Sequence, residues 1–136
     1  LHYASVGEGP LVLFLHGYPS FWYQWKDQML EMGRDHRAVG LDMRGYNLSS
    51  RPPDVKAYDT DHLTADIRAL VQARGAESAF LVGHDWGGII AAAAALKYPD
   101  RISRLCLIDT LVSVWITWGI HGYWFKCEPE AEQFFE

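Results

Sequence analysis

The chain has 136 residues, of which 49% are hydrophobic and 14% aromatic, and its formal net charge is -5. This length and apolar content suit one small domain with a buried core, and the scattered negative charge excludes a basic surface for nucleic acid or anionic membranes. No apolar stretch approaches the roughly 18 residues that a membrane-spanning helix needs.

The first predicted strand covers residues 11–15 (Leu-Val-Leu-Phe-Leu), a continuous apolar run. Residues 16–19 (His-Gly-Tyr-Pro) end this run and predict a loop. Ser20 can cap a helix that continues through about Met32 with an aromatic and methionine-rich face.

A second strand is predicted over residues 38–42, followed by a loop over residues 43–53 that is rich in Gly, Asn, Ser and Pro. Thr60 or Asp61 begins a helix that extends through Arg74, because its apolar residues recur at helical spacing. Those apolar residues are Leu63, Ile67, Leu70 and Val71.

Three further elements surround the most distinctive motif. Residues 79–82 predict a strand, residues 86–98 a buried helix ended by Pro99, and residues 105–108 another buried strand that closes on Asp109. Short apolar strands separated by helices predict an α/β fold, with a mostly parallel sheet and helices on both faces.

Composition changes after Asp109, where tryptophans, tyrosine and glutamates accumulate. We expect residues 1–110 to be the N-terminal part of an α/β core and residues 111–136 to begin a helical lid. The chain starts at Leu1 without a methionine or signal peptide, and we interpret it as a fragment. Cys106 and Cys127 form no disulfide framework, which favours a reducing, cytoplasmic location.

Residues 83–88 read Gly-His-Asp-Trp-Gly-Gly, a G-x-nucleophile-x-G pattern typical of a sharp turn between a strand and a helix. Asp85 stands where serine is usual. An aspartate is ionised at neutral pH and needs no base to become a nucleophile. Its attack on an ester or amide carbonyl would give a labile anhydride, whereas attack on an sp3 carbon gives a stable ester. The pattern therefore indicates substrates with an activated sp3 carbon, such as epoxides and alkyl halides.

Together with residues 14–19 (Phe-Leu-His-Gly-Tyr-Pro) and 42–50 (Asp-Met-Arg-Gly-Tyr-Asn-Leu-Ser-Ser), the motif at Asp85 resembles the α/β-hydrolase superfamily. Within it, the sequence is similar to the branch of epoxide hydrolases and haloalkane dehalogenases. The resemblance covers about residues 1–110. It implies an α/β-hydrolase fold whose active site lies at the carboxyl edge of the sheet.

Hydrolysis of an ester on Asp85 would generate an oxyanion that backbone N–H groups can stabilise. The N–H of Trp86 follows the nucleophile, and the resemblance implies that the Tyr18 N–H is the second donor. Asp109, which ends the next strand, is a candidate triad acid, with capping of a loop as its alternative role. The resemblance places the catalytic histidine beyond residue 136, so no base is assigned.

Epoxide and halide substrates differ in what their leaving groups need. Similar dehalogenases place an asparagine at the position of Tyr18, whereas epoxide hydrolases place an aromatic residue there. An epoxide oxygen must be protonated, and the resemblance makes Tyr123 the candidate lid proton donor, with lid packing as the alternative. We expect an apolar substrate pocket with the aromatic and imidazole side chains His16, Trp86, Trp115 and Trp118. Histidines in motifs such as that of His16 more often orient a loop through hydrogen bonds.

The sequence thus predicts a hydrolase with an aspartate nucleophile, most simply an epoxide hydrolase that forms a vicinal diol. The alternatives are a dehalogenase acting on an uncharged alkyl halide and a non-catalytic ligand-binding protein of the same fold. The expected partners are a small apolar organic substrate and water, without nucleic acid or membrane. No metal or organic cofactor is implied, because metal-ligand clusters and G-x-G-x-x-G motifs are absent. The oligomeric state is not indicated.

Overall fold

The structure of the chain, a computed structural model, describes residues 1–110. The strands are β1 (Tyr3–Val6), β2 (Leu11–Leu15), β3 (Arg37–Leu41), β4 (Ala79–His84) and β5 (Ile102–Ile108). The α-helices are α1 (Lys26–Met32), α2 (Thr60–Ala73) and α3 (Trp86–Lys97), and short 3-10 turns cover Trp22–Trp25, Val55–Tyr58 and Pro99–Arg101.

The five strands form one sheet in the order β1-β3-β2-β4-β5. Strand β1 runs antiparallel to β3, and the other neighbouring pairs are parallel. The predicted mostly parallel sheet is therefore confirmed. Because β2, β3, β4 and β5 all end at the same edge, the residues that follow these strands are brought together there.

Strand β2 lies in the middle of the sheet and is buried on both faces, which explains its unbroken apolar sequence. On one face, Leu13 belongs to a buried cluster with Ile67 of α2 and Ile90 of α3. On the other face, Phe14 packs against Trp25, with 5.3 Å between the ring centroids. Helices thus cover both faces, as the strand pattern predicted.

The first predicted helix begins differently from the prediction. Its first turn is the 3-10 turn Trp22–Trp25, and α1 starts only at Lys26. Ser20 does not cap it with its side chain. Instead, the N–H of Trp22 donates to Oδ1 of Asp42 at 2.9 Å, so a carboxylate at the end of β3 fixes the start of this segment.

Helix α2 follows its predicted bounds closely, because both its cap and its apolar face are encoded locally. The Asp59 side chain accepts a hydrogen bond from the N–H of His62 at 2.8 Å. Within residues 1–110, no helix has the length and apolar character to cross a lipid bilayer. The proposed lid segment, including Trp115, Trp118 and Tyr123, lies outside the described residues.

Candidate active site

Asp85 occupies a sharp turn between β4 and α3. Its backbone angles are φ 51° and ψ -122°, a conformation that residues other than glycine rarely adopt. The turn is possible because the chain crosses itself closely: a methyl group added at Gly83 would lie 2.6 Å from the Gly87 carbonyl oxygen. The glycines of the motif therefore allow the close crossing, and the strained residue between them is the aspartate.

The Asp85 carboxylate accepts a hydrogen bond from the backbone of the loop after β2. The N–H of Tyr18 donates to Oδ1 at 2.9 Å. The N–H groups of Trp86 and Tyr18, and the nearby His84, lower the pKa of Asp85 below its ordinary value. The half-buried carboxylate is therefore ionised at neutral pH, and the same two N–H groups can stabilise further negative charge on its oxygens.

Gly17 allows the loop after β2 to approach Asp85 this closely. A methyl group added at Gly17 would lie 2.6 Å from the Cβ of Asp85, 2.8 Å from its Oδ1 and 2.9 Å from Nδ1 of His84. The loop is also closed by a hydrogen bond from the Ser20 N–H to the Gly17 carbonyl oxygen at 2.9 Å. A glycine is required here to bring the Tyr18 N–H within hydrogen-bond distance of the carboxylate.

His16 is fully buried, and its ring joins two loops. Its Nδ1–H donates to the Gly17 carbonyl oxygen at 2.9 Å, and its Nε2 accepts from the Met43 N–H at 3.1 Å. Burial lowers the pKa of His16, so the ring is neutral with its proton on Nδ1. This position differs from the predicted role in the substrate pocket, because both ring nitrogens are occupied and no part of the ring reaches open space.

Asp109 directly follows β5 beside the turn at Asp85. The two segments are joined by hydrogen bonds from the Asp85 N–H to the Ile108 carbonyl oxygen (3.2 Å) and from Thr110 Oγ1 to the Asp85 carbonyl oxygen (2.7 Å). Asp109 itself is exposed, with φ 44°. Its carboxylate accepts no hydrogen bond from any side chain or backbone group of residues 1–110. The structure thus places it next to Asp85 without a hydrogen-bond partner in this part of the chain.

No role was predicted for Asp42, whose carboxylate joins three neighbouring segments. It is fully buried and accepts hydrogen bonds from His2 Nδ1 (2.6 Å), the Trp22 N–H (2.9 Å) and Asn47 Nδ2 (2.8 Å). Its own carbonyl oxygen accepts from the Ser49 hydroxyl. A carboxylate directly after a buried strand can be recognised in the sequence as a candidate functional residue. Its hydrogen-bond partners could not be predicted, because they come from three separate segments.

The contact of Gln24 with His84 was not predicted either. The side-chain amide of Gln24 donates to Nδ1 of His84 at 2.9 Å, which leaves the ring proton of a neutral His84 on Nε2. Because His84 directly precedes Asp85, this bond fixes the imidazole beside the carboxylate. No sequence pattern indicates this contact, because Gln24 lies on a 3-10 turn 60 residues before His84.

Open space beside Trp86 forms a groove of about 390 Å³ at the carboxyl edge. Trp86 is 37% exposed, and Tyr18 is 75% exposed. The groove is lined by Met43, Arg44, Gly45, Tyr46, Arg51, Tyr58, Leu63 and Trp86. Among residues 1–110, no three His, Cys, Asp or Glu side chains come together in a way that could hold a metal ion.

The chain was compared with known proteins. The sequence profile of the family described as "alpha/beta hydrolase fold" matches residues 10–123. Epoxide hydrolase 1 of Caenorhabditis elegans is 46% identical over 107 residues, which cover 77% of this chain and 26% of the relative. Epoxide hydrolase 4 of Mus musculus is 44% identical over 110 residues, covering 79% of this chain and 31% of the relative.

Solved structures give the same result. A mutant epoxide hydrolase from Bacillus megaterium superposes with a TM-score of 0.79 at 42% identity, covering 80% of this chain and 38% of that chain. Epoxide hydrolase VrEH1 from Vigna radiata gives a TM-score of 0.76 at 43% identity, covering 78% and 35%. This chain therefore spans about a quarter to two-fifths of the length of these proteins. With the profile match across most of the sequence and the aspartate turn at the carboxyl edge, the chain belongs to the α/β-hydrolase fold family.

Proposed function

We propose that the complete protein containing this chain hydrolyses epoxides to vicinal diols through an ester on Asp85. The observation that carries the proposal is the Asp85 carboxylate, which is ionised, lies on a strained turn and accepts the Tyr18 N–H at 2.9 Å. Similarity to proteins named epoxide hydrolase supports the choice of substrate.

In the first step, one Asp85 carboxylate oxygen attacks an epoxide carbon. The bond between that carbon and the epoxide oxygen breaks, and the oxygen takes a proton and becomes a hydroxyl group. We propose Tyr123 as the proton donor and Trp115 and Trp118 as apolar pocket residues, within a lid that begins at residue 111. The product of this step is a neutral hydroxyalkyl ester of Asp85.

In the second step, water attacks the carbonyl carbon of that ester, and a base accepts its proton. The resulting oxyanion is stabilised by the N–H groups of Tyr18 and Trp86, the first of which already donates to the carboxylate at 2.9 Å. Collapse of this intermediate breaks the acyl C–O bond, and the departing alkoxide takes the proton of the new carboxyl group, so the diol leaves and Asp85 returns as a carboxylate. The proton held by the base then restores the tyrosine that protonated the epoxide oxygen. We propose that Asp109, at the end of β5, orients the base.

The ester mechanism can be tested by a single turnover of styrene oxide in ¹⁸O-labelled water, with enzyme in excess. An ester intermediate places the label in the Asp85 carboxylate and leaves the first diol unlabelled. Label in that first diol would contradict the proposal, because it would mean that water attacks the epoxide directly.

Substitution provides the complementary test. Asp85→Asn should abolish diol formation, because the amide is a poor nucleophile. Asp35→Asn is the matched control, since the Asp35 side chain is 75% exposed and pairs with the adjacent His36. Full activity in Asp85→Asn would exclude Asp85 as the nucleophile.

The position of Asp109 favours a second candidate, because some dehalogenases of this superfamily carry their acid after the equivalent strand. Incubation of the complete protein with 1-bromobutane separates the two reactions. Bromide release without diol formation from styrene oxide would establish the dehalogenase. Binding of either compound without turnover would instead indicate a ligand-binding protein.

A further inference from the structure

A second groove lies at the opposite edge of the sheet from Asp85, where the parallel strands begin. Its volume is about 660 Å³, within the usual range for small-molecule sites. It is bordered by the segments that lead into β2, β3, β4 and β5 and by the end of α2. The proposed epoxide chemistry does not use this groove.

Three arginines line the groove and come from different elements. Arg37 begins β3, Arg74 directly follows α2, and Arg104 lies near the start of β5. Arg104 pairs in register with Phe80 of β4, which also lines the groove. The fold therefore brings three arginines from distant parts of the sequence to the lining of one groove.

None of these three guanidinium groups forms an ion pair within residues 1–110. Arg37 donates to the Arg74 carbonyl oxygen at 3.1 Å. Arg74 donates through Nη1 to the Tyr3 hydroxyl at 2.9 Å and lies over the Tyr3 ring. The Nε of Arg74 is buried without a hydrogen-bond acceptor in this part of the chain. Arg104 is exposed and makes no side-chain hydrogen bond there.

The lining of the groove is positively charged in a chain whose net charge is -5. Among the described residues, Glu77 is the one lining carboxylate, against three arginines. Like charges gathered in one groove repel each other, so a bound anion would offset an existing cost.

We infer that this groove binds a small molecule carrying two or more phosphate charges. A guanidinium group presents a planar fork of N–H donors that matches phosphate oxygens in charge and geometry. Arginines from three segments around one groove suit a ligand with several phosphate oxygens better than they suit a single carboxylate. The hydroxyl groups of Ser78 and Ser103, which also line the groove, provide further donors.

Titration calorimetry of the complete protein with inorganic pyrophosphate tests this inference at low ionic strength. We expect saturable binding that weakens as salt is added. Arg104→Gln should weaken it by about tenfold, the loss expected for one charge-assisted contact. The Arg104 side chain is exposed and makes no hydrogen bond or ion pair within residues 1–110, so its variant should keep the melting temperature of the unliganded protein. Arg37→Gln tests the same prediction on another strand.

Arg34→Gln is the matched control, since Arg34 is an exposed arginine outside the groove that pairs with Glu31. It should bind pyrophosphate like the wild type. A parallel assay with phosphatidylcholine vesicles, with and without phosphatidic acid, distinguishes a soluble phosphate from a lipid headgroup. Binding that depends on Arg104 in either assay supports the site. The assay in which it occurs shows whether the ligand is a soluble phosphate or a lipid headgroup. Absence of binding in both, or equal loss in Arg34→Gln, would overturn the inference.

Discussion

Replacing Gly17 with alanine should impair catalysis through a single methyl group. That carbon would lie 2.6 Å from the Cβ of Asp85, whereas carbon atoms pack at about 3.5 Å or more. The loop must therefore retreat by about 1 Å, which lengthens the 2.9 Å contact from the Tyr18 N–H to Oδ1 beyond hydrogen-bond range. Loss of one oxyanion donor costs about 100-fold to 1000-fold in kcat.

The measurement is kcat for epoxide hydrolysis by the complete protein, together with its melting temperature and the pH dependence of kcat. The acid limb should move to higher pH, because the Tyr18 N–H helps to keep the pKa of Asp85 low. Gly75→Ala is the control: Gly75 has φ 67° with open space around it, so alanine should cost about 1 kcal/mol of stability and leave kcat unchanged. Wild-type kcat in Gly17→Ala would refute the reasoning.

Three further predictions concern stability, measured by urea denaturation. Burial lowers the pKa of His16, so the unfolded chain binds a proton at this imidazole more readily than the folded chain, and the free energy of unfolding should fall as pH drops below 6.5. His16→Asn should flatten this pH dependence. An unchanged slope would contradict a neutral, buried His16. Asp42→Asn should lower the free energy of unfolding by about 1–3 kcal/mol, because the N–H of the new side-chain amide would face donors whose hydrogen bonds the carboxylate accepted. Equal losses in the wild-type and His2→Ala backgrounds would show that Asp42 and His2 are not coupled. Leu13→Ala should cost about 2–5 kcal/mol through a cavity in the core, and a loss below 1 kcal/mol would mean that the central strand is misplaced.

The sequence predicted the strands and helices whose signals are local. Strand β2 and helix α2 were predicted nearly to the residue, because an apolar run and a helical repeat record burial directly. Strand β1 was not predicted, since four residues at the edge of a sheet need only partial burial. The start of β5 was missed because Ser103 and Arg104 are exposed and interrupt its apolar pattern.

The sharp turn at Asp85 could be predicted because a single motif contains its geometry. The Tyr18 N–H as its partner was implied by the resemblance to the α/β-hydrolases, and the catalytic roles of both residues stay predictions. The contacts of Asp42 and Gln24 could not be predicted, because hydrogen bonds between segments tens of residues apart leave no periodic trace. The burial of His16 was missed for the same reason, since its acceptor contact comes from Met43 on another loop.

The backbone of Asp85 has a consequence for how this protein tolerates change. A residue with a side chain at φ 51° and ψ -122° destabilises the fold by about 1–3 kcal/mol, a cost that glycine does not have. Asp85→Gly would relieve that strain, but it would also remove the carboxylate that accepts the Tyr18 N–H at 2.9 Å. Under the proposed mechanism the same substitution removes the nucleophile, so a screen that scores turnover would retain the aspartate despite the cost of its backbone conformation.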